Sequence, residues 1–107
     1  MELREIQQEV DRYLSGFEEG YFSPLAMLAR LTEELGELAR EVNHAYGEKP
    51  KKPDERENSV PMELGDLFFV LVSFANSLGI DLESAFRAVM EKYRRRDGAR
   101  WTPKRDP

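Results

Sequence analysis

Two carboxylates lie at the start of the most hydrophobic stretch of this 107-residue chain. Glu63 and Asp66 are three residues apart, and the apolar run Leu67–Val72 follows them directly. This spacing places both acids on one face of a helix. Ionised carboxylates rarely enter such apolar surroundings unless a cation or another partner compensates their charge. The pair therefore predicts a site that binds a divalent cation.

A second group of acids precedes it in the chain. At about 100° per residue, Glu34, Glu37 and Glu41 share one helix face, beside an apolar stripe. Antiparallel packing of the two helices would bring the first two of these to Glu63 and Asp66. Four converging carboxylates repel each other unless arginines or hard cations supply countercharge. The alternative for this helix alone is an ordinary solvated face of glutamates.

The chemistry of the available ligands narrows the choice of cation. Mg²⁺ prefers carboxylate, water and phosphate oxygens. The chain has no cysteine and one histidine, so it offers few of the ligands that zinc and copper prefer. Glu41 and His44 form one Glu-x-x-His half-motif, which di-iron carboxylate bundles need twice. A surface or dimer-contact histidine is the preferred interpretation of His44.

Four helices must position these acids. Apolar residues at helical spacing, with start signals at Ser23-Pro24, Ser59 and Asp81, predict these elements. The predicted helices run from Glu2 to about Tyr13 or Leu14, Ser23 to about Tyr46, Ser59 to about Leu78, and Asp81 to Arg96 or Gly98. The predicted fold is all-α, with two helical hairpins in a four-helix-bundle-like arrangement. The third helix is apolar on nearly every side, so we expect a homodimer or homotetramer to cover it.

Composition limits the class of protein. Residues 1–107 are expected to form one domain, with a flexible loop at 47–59 and a tail at 98–107. The net charge of −5 argues against a stable nucleic-acid partner. No apolar run approaches the roughly 20 residues of a membrane span, and the charged N-terminus has no signal region. We therefore expect a cytoplasmic protein without a membrane partner.

The paired acidic motifs resemble those of a known family. Glu33-Glu34-Leu35-Gly36-Glu37, followed after 25 residues by Glu63-Leu64-Gly65-Asp66, is similar to the EExxE…ExxD signature of the MazG-like all-α nucleotide pyrophosphohydrolases. The segments 21–28, 38–44, 74–81 and 92–101 are also similar to the short stand-alone bacterial branch. The resemblance covers nearly the whole chain.

The resemblance implies an activity and roles for individual residues. It implies Mg²⁺-dependent hydrolysis of nucleoside triphosphates (NTP or dNTP) between the α and β phosphates, in nucleotide-pool house-cleaning, with Mn²⁺ as a possible substitute. The implied metal ligands are Glu34, Glu37, Glu63 and Asp66. Glu33 or Glu41 would activate the attacking water, and Lys92 and Arg96 would contact the phosphates, their alternative being a solvated basic helix end.

Two alternatives remain open from the sequence. One is a non-catalytic helical module that binds a nucleotide or a partner protein without turnover. The other is a phosphoribosyl-ATP pyrophosphohydrolase, which shares the chemistry but takes a different substrate. The fourth helix has Met90 where larger MazG proteins often have asparagine, so contacts to the base and sugar are not predicted.

Overall fold

The computed structural model of the chain describes residues 1–47 and 59–105. These residues form four α-helices, and no strand occurs among them. The helices are α1 (Leu3–Leu14), α2 (Pro24–Tyr46), α3 (Val60–Ser77) and α4 (Leu82–Arg100). The all-α prediction is confirmed. The predicted loop at 47–59 lies, apart from its two end residues, outside the described part of the chain.

Local signals explain where the helices begin and turn. Glu2 and Glu5 form a capping box at the start of α1. Ser59 Oγ accepts the Met62 N–H at 3.2 Å where α3 starts. After α3 the chain reverses at Gly79, whose φ of +67° is readily adopted by glycine.

The fourth helix is longer than predicted. It continues through Gly98 to Arg100, and the Trp101 N–H bonds to the Asp97 carbonyl at 2.8 Å. A glycine inside a helix costs about 1 kcal/mol relative to alanine. That cost does not end this helix, because the hydrogen-bond ladder continues on both sides of Gly98.

The third helix is the centre of the structure. It packs against α2 and α1, and α1 also contacts α4. Buried apolar side chains on α1, α2 and α3 make up the core: Val10, Met27, Val70, Val72 and Ala75.

The single chain covers α3 only partly. Just 28% of its 18 residues are buried, and Phe68 and Leu71 are 40% and 41% exposed. By length and composition α3 could cross a membrane, a test that core helices of soluble proteins also pass.

Side-chain hydrogen bonds join α1 to the connection between α3 and α4. Gln7 Nε2 donates to Asn76 Oδ1 and to the Ile80 carbonyl, each at 2.9 Å. Gln7 Oε1 accepts the Leu82 N–H at 2.9 Å, at the first residue of α4. This amide therefore fixes how α4 leaves the core, although no residue of α4 is itself buried.

Candidate metal centre

The second helix carries two of the predicted ligands on one face. Its start is well defined, because Ser23 Oγ accepts the Ala26 N–H at 3.3 Å and Pro24 occupies the first turn. The helix continues without interruption past Glu34 and Glu37. These residues are three positions apart, so their side chains are neighbours on the helix surface.

The third helix presents Glu63 within its first turn. Unpaired N–H groups give a helix N-terminus a partial positive charge, which stabilises a carboxylate there. The Glu63 side chain is nevertheless almost completely buried, with 1% of its surface exposed. Val70 and Val72, farther along α3, are buried to a similar extent. This acid thus lies inside the protein rather than on a solvated helix end.

The carboxylates of the two helices converge where α2 and α3 pack. Glu34, Glu37 and Glu63 each place one oxygen so that the three oxygens lie within 4.8 Å of one another. Asp66 is close enough for its charge to act on both Glu34 and Glu63. We call these four residues the acidic cluster.

Burial and mutual repulsion change the protonation of the acidic cluster. Burial is the main cause that raises the pKa of Glu63, and the nearby carboxylates, Glu37 first among them, raise it further. Burial followed by Glu37 and Asp66 also raises the pKa of Glu34, while the Arg30 guanidinium opposes this change. The cluster therefore favours uptake of positive charge, either protons or a cation.

The donor set fits a hard divalent cation. All its ligand atoms are carboxylate oxygens, which suit Mg²⁺ or Mn²⁺ better than softer metals. Within residues 1–47 and 59–105, Glu34 Oε2 is buried and accepts no hydrogen bond. A buried acceptor without a donor costs about 1–3 kcal/mol. Coordination to a cation would offset that cost.

The two candidates for water activation lie in different environments. Glu33 is exposed and its charge acts on Glu34. Glu41 is 8% exposed, and its charge helps to raise the pKa of Glu63. His44 is half-buried, with its Nε2 atom out of contact with solvent. The interpretation of this residue as a surface or dimer-contact histidine stays a prediction.

The predicted phosphate ligands lie on another helix. Lys92 and Arg96 are one turn apart on α4, and both cations lie over the Tyr93 ring, 5.0 and 4.5 Å from its centroid. Arg96 Nε also donates to Asp97 Oδ1 at 3.0 Å. The acidic cluster belongs to α2 and α3, whereas α4 packs against α1. The side chains of Lys92 and Arg96 are exposed.

Sequence reasoning missed Arg30 and a group of aromatic residues beside the cluster. The Arg30 charge opposes the rise in the pKa of Glu34. The four-residue spacing of the two residues on α2 is the signal in the sequence that indicates this interaction. It also lines a cavity between α2, α3 and the segment after α1. The aromatic residues that line the cavity include Phe17, Tyr21 and Phe22, whose close spacing in the sequence is a second signal.

Known proteins share both the sequence and the fold. The family model of the MazG nucleotide pyrophosphohydrolase domain matches residues 22–101. YpjD of Bacillus subtilis (strain 168) is 64% identical over 104 residues, which are 97% of this chain and 94% of YpjD. YvdC of the same organism is 34% identical over 82 residues, covering 70% of this chain and 76% of YvdC.

Two crystal structures resemble this one. The structure of B. subtilis YpjD superposes with a TM-score of 0.78 at 64% identity and covers 87% of this chain and 95% of that one. The Bacillus-conserved MazG protein, a nucleotide pyrophosphohydrolase, has a TM-score of 0.76 at 52% identity, covering 99% and 94%.

The helical fold and its acidic cluster thus define a hydrolase that acts on nucleotides. More specifically, the chain belongs to the MazG nucleotide pyrophosphohydrolase family. The family resemblance inferred from the sequence is confirmed.

Proposed function

We propose that the protein hydrolyses nucleoside triphosphates, with ribose or deoxyribose, between the α and β phosphates. Water attacks phosphorus, the bridging P–O bond breaks, and a nucleoside monophosphate and pyrophosphate leave. The observation that carries this proposal is the convergence of three carboxylate oxygens within 4.8 Å, one of them from the buried Glu63. Such a group has little structural value unless it binds a cation.

The acidic cluster is the proposed binding site for Mg²⁺, with Mn²⁺ as a substitute. Glu34 and Glu37 would hold it from α2, and Glu63 and Asp66 from α3. When bound, the cation polarises the phosphoryl oxygens and lowers the pKa of a bound water. The carboxylates supply the negative charge that retains it, and the packing of α2 on α3 keeps them in register.

A carboxylate near the cluster is the proposed base for the attacking water. Glu33 is accessible to solvent, whereas Glu41 is buried beside Glu63. Replacing each in turn by glutamine shows which one is the base, because removal of the base lowers kcat by about 10²–10⁴-fold. The other variant should keep most of its kcat. Equal, small effects of both would show that neither is the base.

Lys92 and Arg96 are the proposed ligands of the leaving phosphates. Support comes from their spacing, which places two cations on one face of α4. Exchange of either for methionine, which keeps the apolar stem, should raise KM for the triphosphate. An unchanged KM in both variants would show that Lys92 and Arg96 do not bind the phosphates and only belong to a solvated basic helix end. Arg94→Met is the matched control on the same helix.

We also propose that the protein assembles with copies of itself as a dimer or tetramer in the cytoplasm. Half-exposed apolar side chains on α3 support assembly, among them Phe68 and Leu71. The net charge of −5 supports the absence of a nucleic-acid partner. House-cleaning of the nucleotide pool is the proposed physiological role.

A substrate panel tests the proposed reaction. The purified protein is incubated with Mg²⁺ and canonical or modified NTPs and dNTPs, and both pyrophosphate and monophosphate are measured. Equal amounts of the two products are expected from at least one substrate. Phosphoribosyl-ATP is included to separate that related activity. Release of inorganic phosphate without pyrophosphate, or no release at all, would contradict the proposal.

A further inference from the structure

A cavity of about 390 Å³ lies beside the acidic cluster. Its walls come from the end of α1, the segment after it, and the facing sides of α2 and α3. Aromatic rings dominate the lining, which also contains Arg30 and Glu19, and we call it the aromatic cavity. The residues that define it are Tyr13, Phe17, Tyr21, Phe22, Arg30 and Phe69. Its volume is within the range of about 300–1,000 Å³ typical of small-molecule sites.

The aromatic cavity and the acidic cluster are neighbours along both α2 and α3. Arg30 lines the cavity four residues before Glu34 on α2, and Val70 lines it four residues after Asp66 on α3. Four residues of helix span about 6 Å. Along both helices the cavity and the acidic cluster are therefore about one helical turn apart, a separation suited to a ligand with an aromatic and an anionic end.

The rings of the cavity are available to a ligand. Tyr13 makes edge-to-face contacts with Phe17 and Phe69, with centroids 5.2 and 6.3 Å apart. Phe17 and Phe22 are nevertheless 53% and 48% exposed. Edge-to-face packing leaves ring faces free, and a planar heterocycle can stack on them. Apolar rings exposed to this extent beside a polar site are typical of a binding surface rather than of a closed core.

The segment that carries these rings is held in place before any ligand binds. The Tyr21 hydroxyl donates to Asp11 Oδ1 at 2.6 Å, which ties the segment after α1 back to that helix. On the opposite wall, the Ser73 hydroxyl donates to the Phe69 carbonyl at 2.8 Å. A pocket that is already ordered loses less conformational entropy when it binds a ligand.

We propose that the aromatic cavity binds the base of the nucleotide whose phosphates reach the acidic cluster. Phe17 and Phe22 stack on the base, and Arg30 lies between the base and the phosphates, where its charge contacts the anionic part. The inference rests on the proposed function, since it takes the acidic cluster as the phosphate end. It makes these three residues the determinants of base recognition.

Binding of two ligands that differ only in the base tests this assignment. One is an α,β-imido nucleoside triphosphate, which resists cleavage at the bond in question, and the other is ribose 5-triphosphate with the same imido bridge. Calorimetry with Mg²⁺ gives Kd for wild type, Phe17→Leu and Phe22→Leu. Leucine keeps apolar bulk and removes the ring. Phe86→Leu on α4, where the ring is 56% exposed, is the matched control.

Phe17→Leu and Phe22→Leu should each weaken nucleotide binding about five- to tenfold, which is the lower end of the range for one base–aromatic stack because leucine keeps apolar bulk. Their affinity for the base-free ligand should stay unchanged, and Phe86→Leu should change neither. Equal losses for both ligands, or no loss for the nucleotide, would overturn the assignment. A changed oligomer mass with equal losses would identify the rings as packing residues, which also overturns it.

Failure of the proposed reaction has a different signature. Wild-type protein that releases no pyrophosphate but still prefers the nucleotide over the base-free ligand would refute the reaction and leave the base site standing. Conversely, if the wild-type protein releases pyrophosphate but Phe17→Leu and Phe22→Leu leave the nucleotide Kd unchanged, only the base site is refuted. Circular dichroism of each variant confirms that the helices are intact.

Discussion

Two groups of carboxylates in this protein have opposite electrostatics. In the acidic cluster, burial and neighbouring acids raise the pKa of Glu63 and Glu34. At the start of α4, hydrogen bonds from Ser84 and Arg4 lower the pKa of Asp81. Both groups contain at least two acids close together, yet only the acidic cluster lacks enough positive charge around it and favours the uptake of more.

The partners at the start of α4 account for the difference. Arg4 reaches both oxygens of Asp81 at 3.3 Å and Glu83 Oε2 at 3.3 Å. Asp81 also accepts the Ser84 N–H at 3.2 Å and its hydroxyl at 2.6 Å. We call Arg4, Asp81, Glu83 and Ser84 the α4 joint. Asp81 caps the helix, and Arg4 compensates the negative charge of both acids within the chain. The comparison shows that compensation of charge, and not the number of acids, distinguishes a candidate cation site from a structural contact.

The largest expected effect separates the two groups by activity. Glu63→Gln should lower kcat/KM by at least about a hundredfold, because the cluster loses one of its charges at the reacting phosphates. Asp81→Asn makes the same carboxylate-to-amide change at the α4 joint, where asparagine is also a good N-cap. It should leave kcat/KM unchanged. Pyrophosphate release measures both, and comparable losses would abolish the distinction between the two groups.

The second effect is on stability in the presence of cation. At a free Mg²⁺ concentration 100 times Kd, the free energy of unfolding should rise by about 2.7 kcal/mol, which raises Tm by several degrees. Asp81→Asn should retain this gain and Glu63→Gln should lose most of it. Thermal melts with Mg²⁺ and with chelator measure it. If Mg²⁺ still raises the Tm of Glu63→Gln as much as that of the wild type, the cation binds somewhere other than the acidic cluster.

The third effect is on pH dependence without divalent cations. Because the pKa of Glu63 is raised above 4.5, the folded state binds this proton more tightly than the unfolded state. Its contribution to stability is therefore fully present below about pH 4.5 and is lost as pH rises through the raised pKa. For Asp81 the sign is reversed. Its contribution is present above about pH 3.8 and is lost as pH falls through the lowered pKa.

Chemical denaturation across this range tests both signs. Glu63→Gln should flatten the decline above about pH 4.5, and Asp81→Asn should reduce the loss below about pH 3.8. A wild-type protein whose stability rises steadily from about pH 4.5 to neutrality, with Glu63→Gln following the same curve, would contradict the raised pKa of the cluster.

The smallest expected effect concerns the amide beside the α4 joint. Gln7→Met keeps the side-chain volume but removes the bonds to Asn76 and to the Leu82 N–H. It should lower the free energy of unfolding by about 1 kcal/mol and leave kcat per folded molecule unchanged. Urea titration gives the first and active-site-normalised kinetics the second. A large loss of kcat would mean that the start of α4 also shapes the catalytic site.

The sequence predicts the helices and the family well because their signals are local. Ser23, Ser59 and Asp81 each cap a helix at the predicted place. Helical periodicity also predicts that Glu34, Glu37 and Glu63 meet, since it needs only the packing of neighbouring helices. The sequence pattern ends α4 a few residues too early, because a glycine signals a helix end more strongly than the hydrogen bonds around this one allow.

The rest depends on contacts between distant parts of the chain. Nothing in the pattern around Gln7 indicates that its amide bonds to Asn76 and the start of α4. The aromatic cavity likewise needs Phe17 and Phe69 together, which no periodicity reveals. The roles of Glu33 and Glu41 in catalysis, and of Lys92 and Arg96 in phosphate binding, stay predictions, as does the division of residues 1–107 into one domain with a loop and a tail.

The bonds of Gln7 also bear on the order in which the chain folds during synthesis. Its partners Asn76 and Leu82 lie 69 and 75 residues later. The first helix therefore leaves the ribosome long before its contacts exist, whereas α2 and α3 are neighbours that can pair earlier. Non-local contacts form late because their loop-closure entropy is large. We therefore expect the nascent protein to pair α2 with α3 first and to secure its N-terminus last.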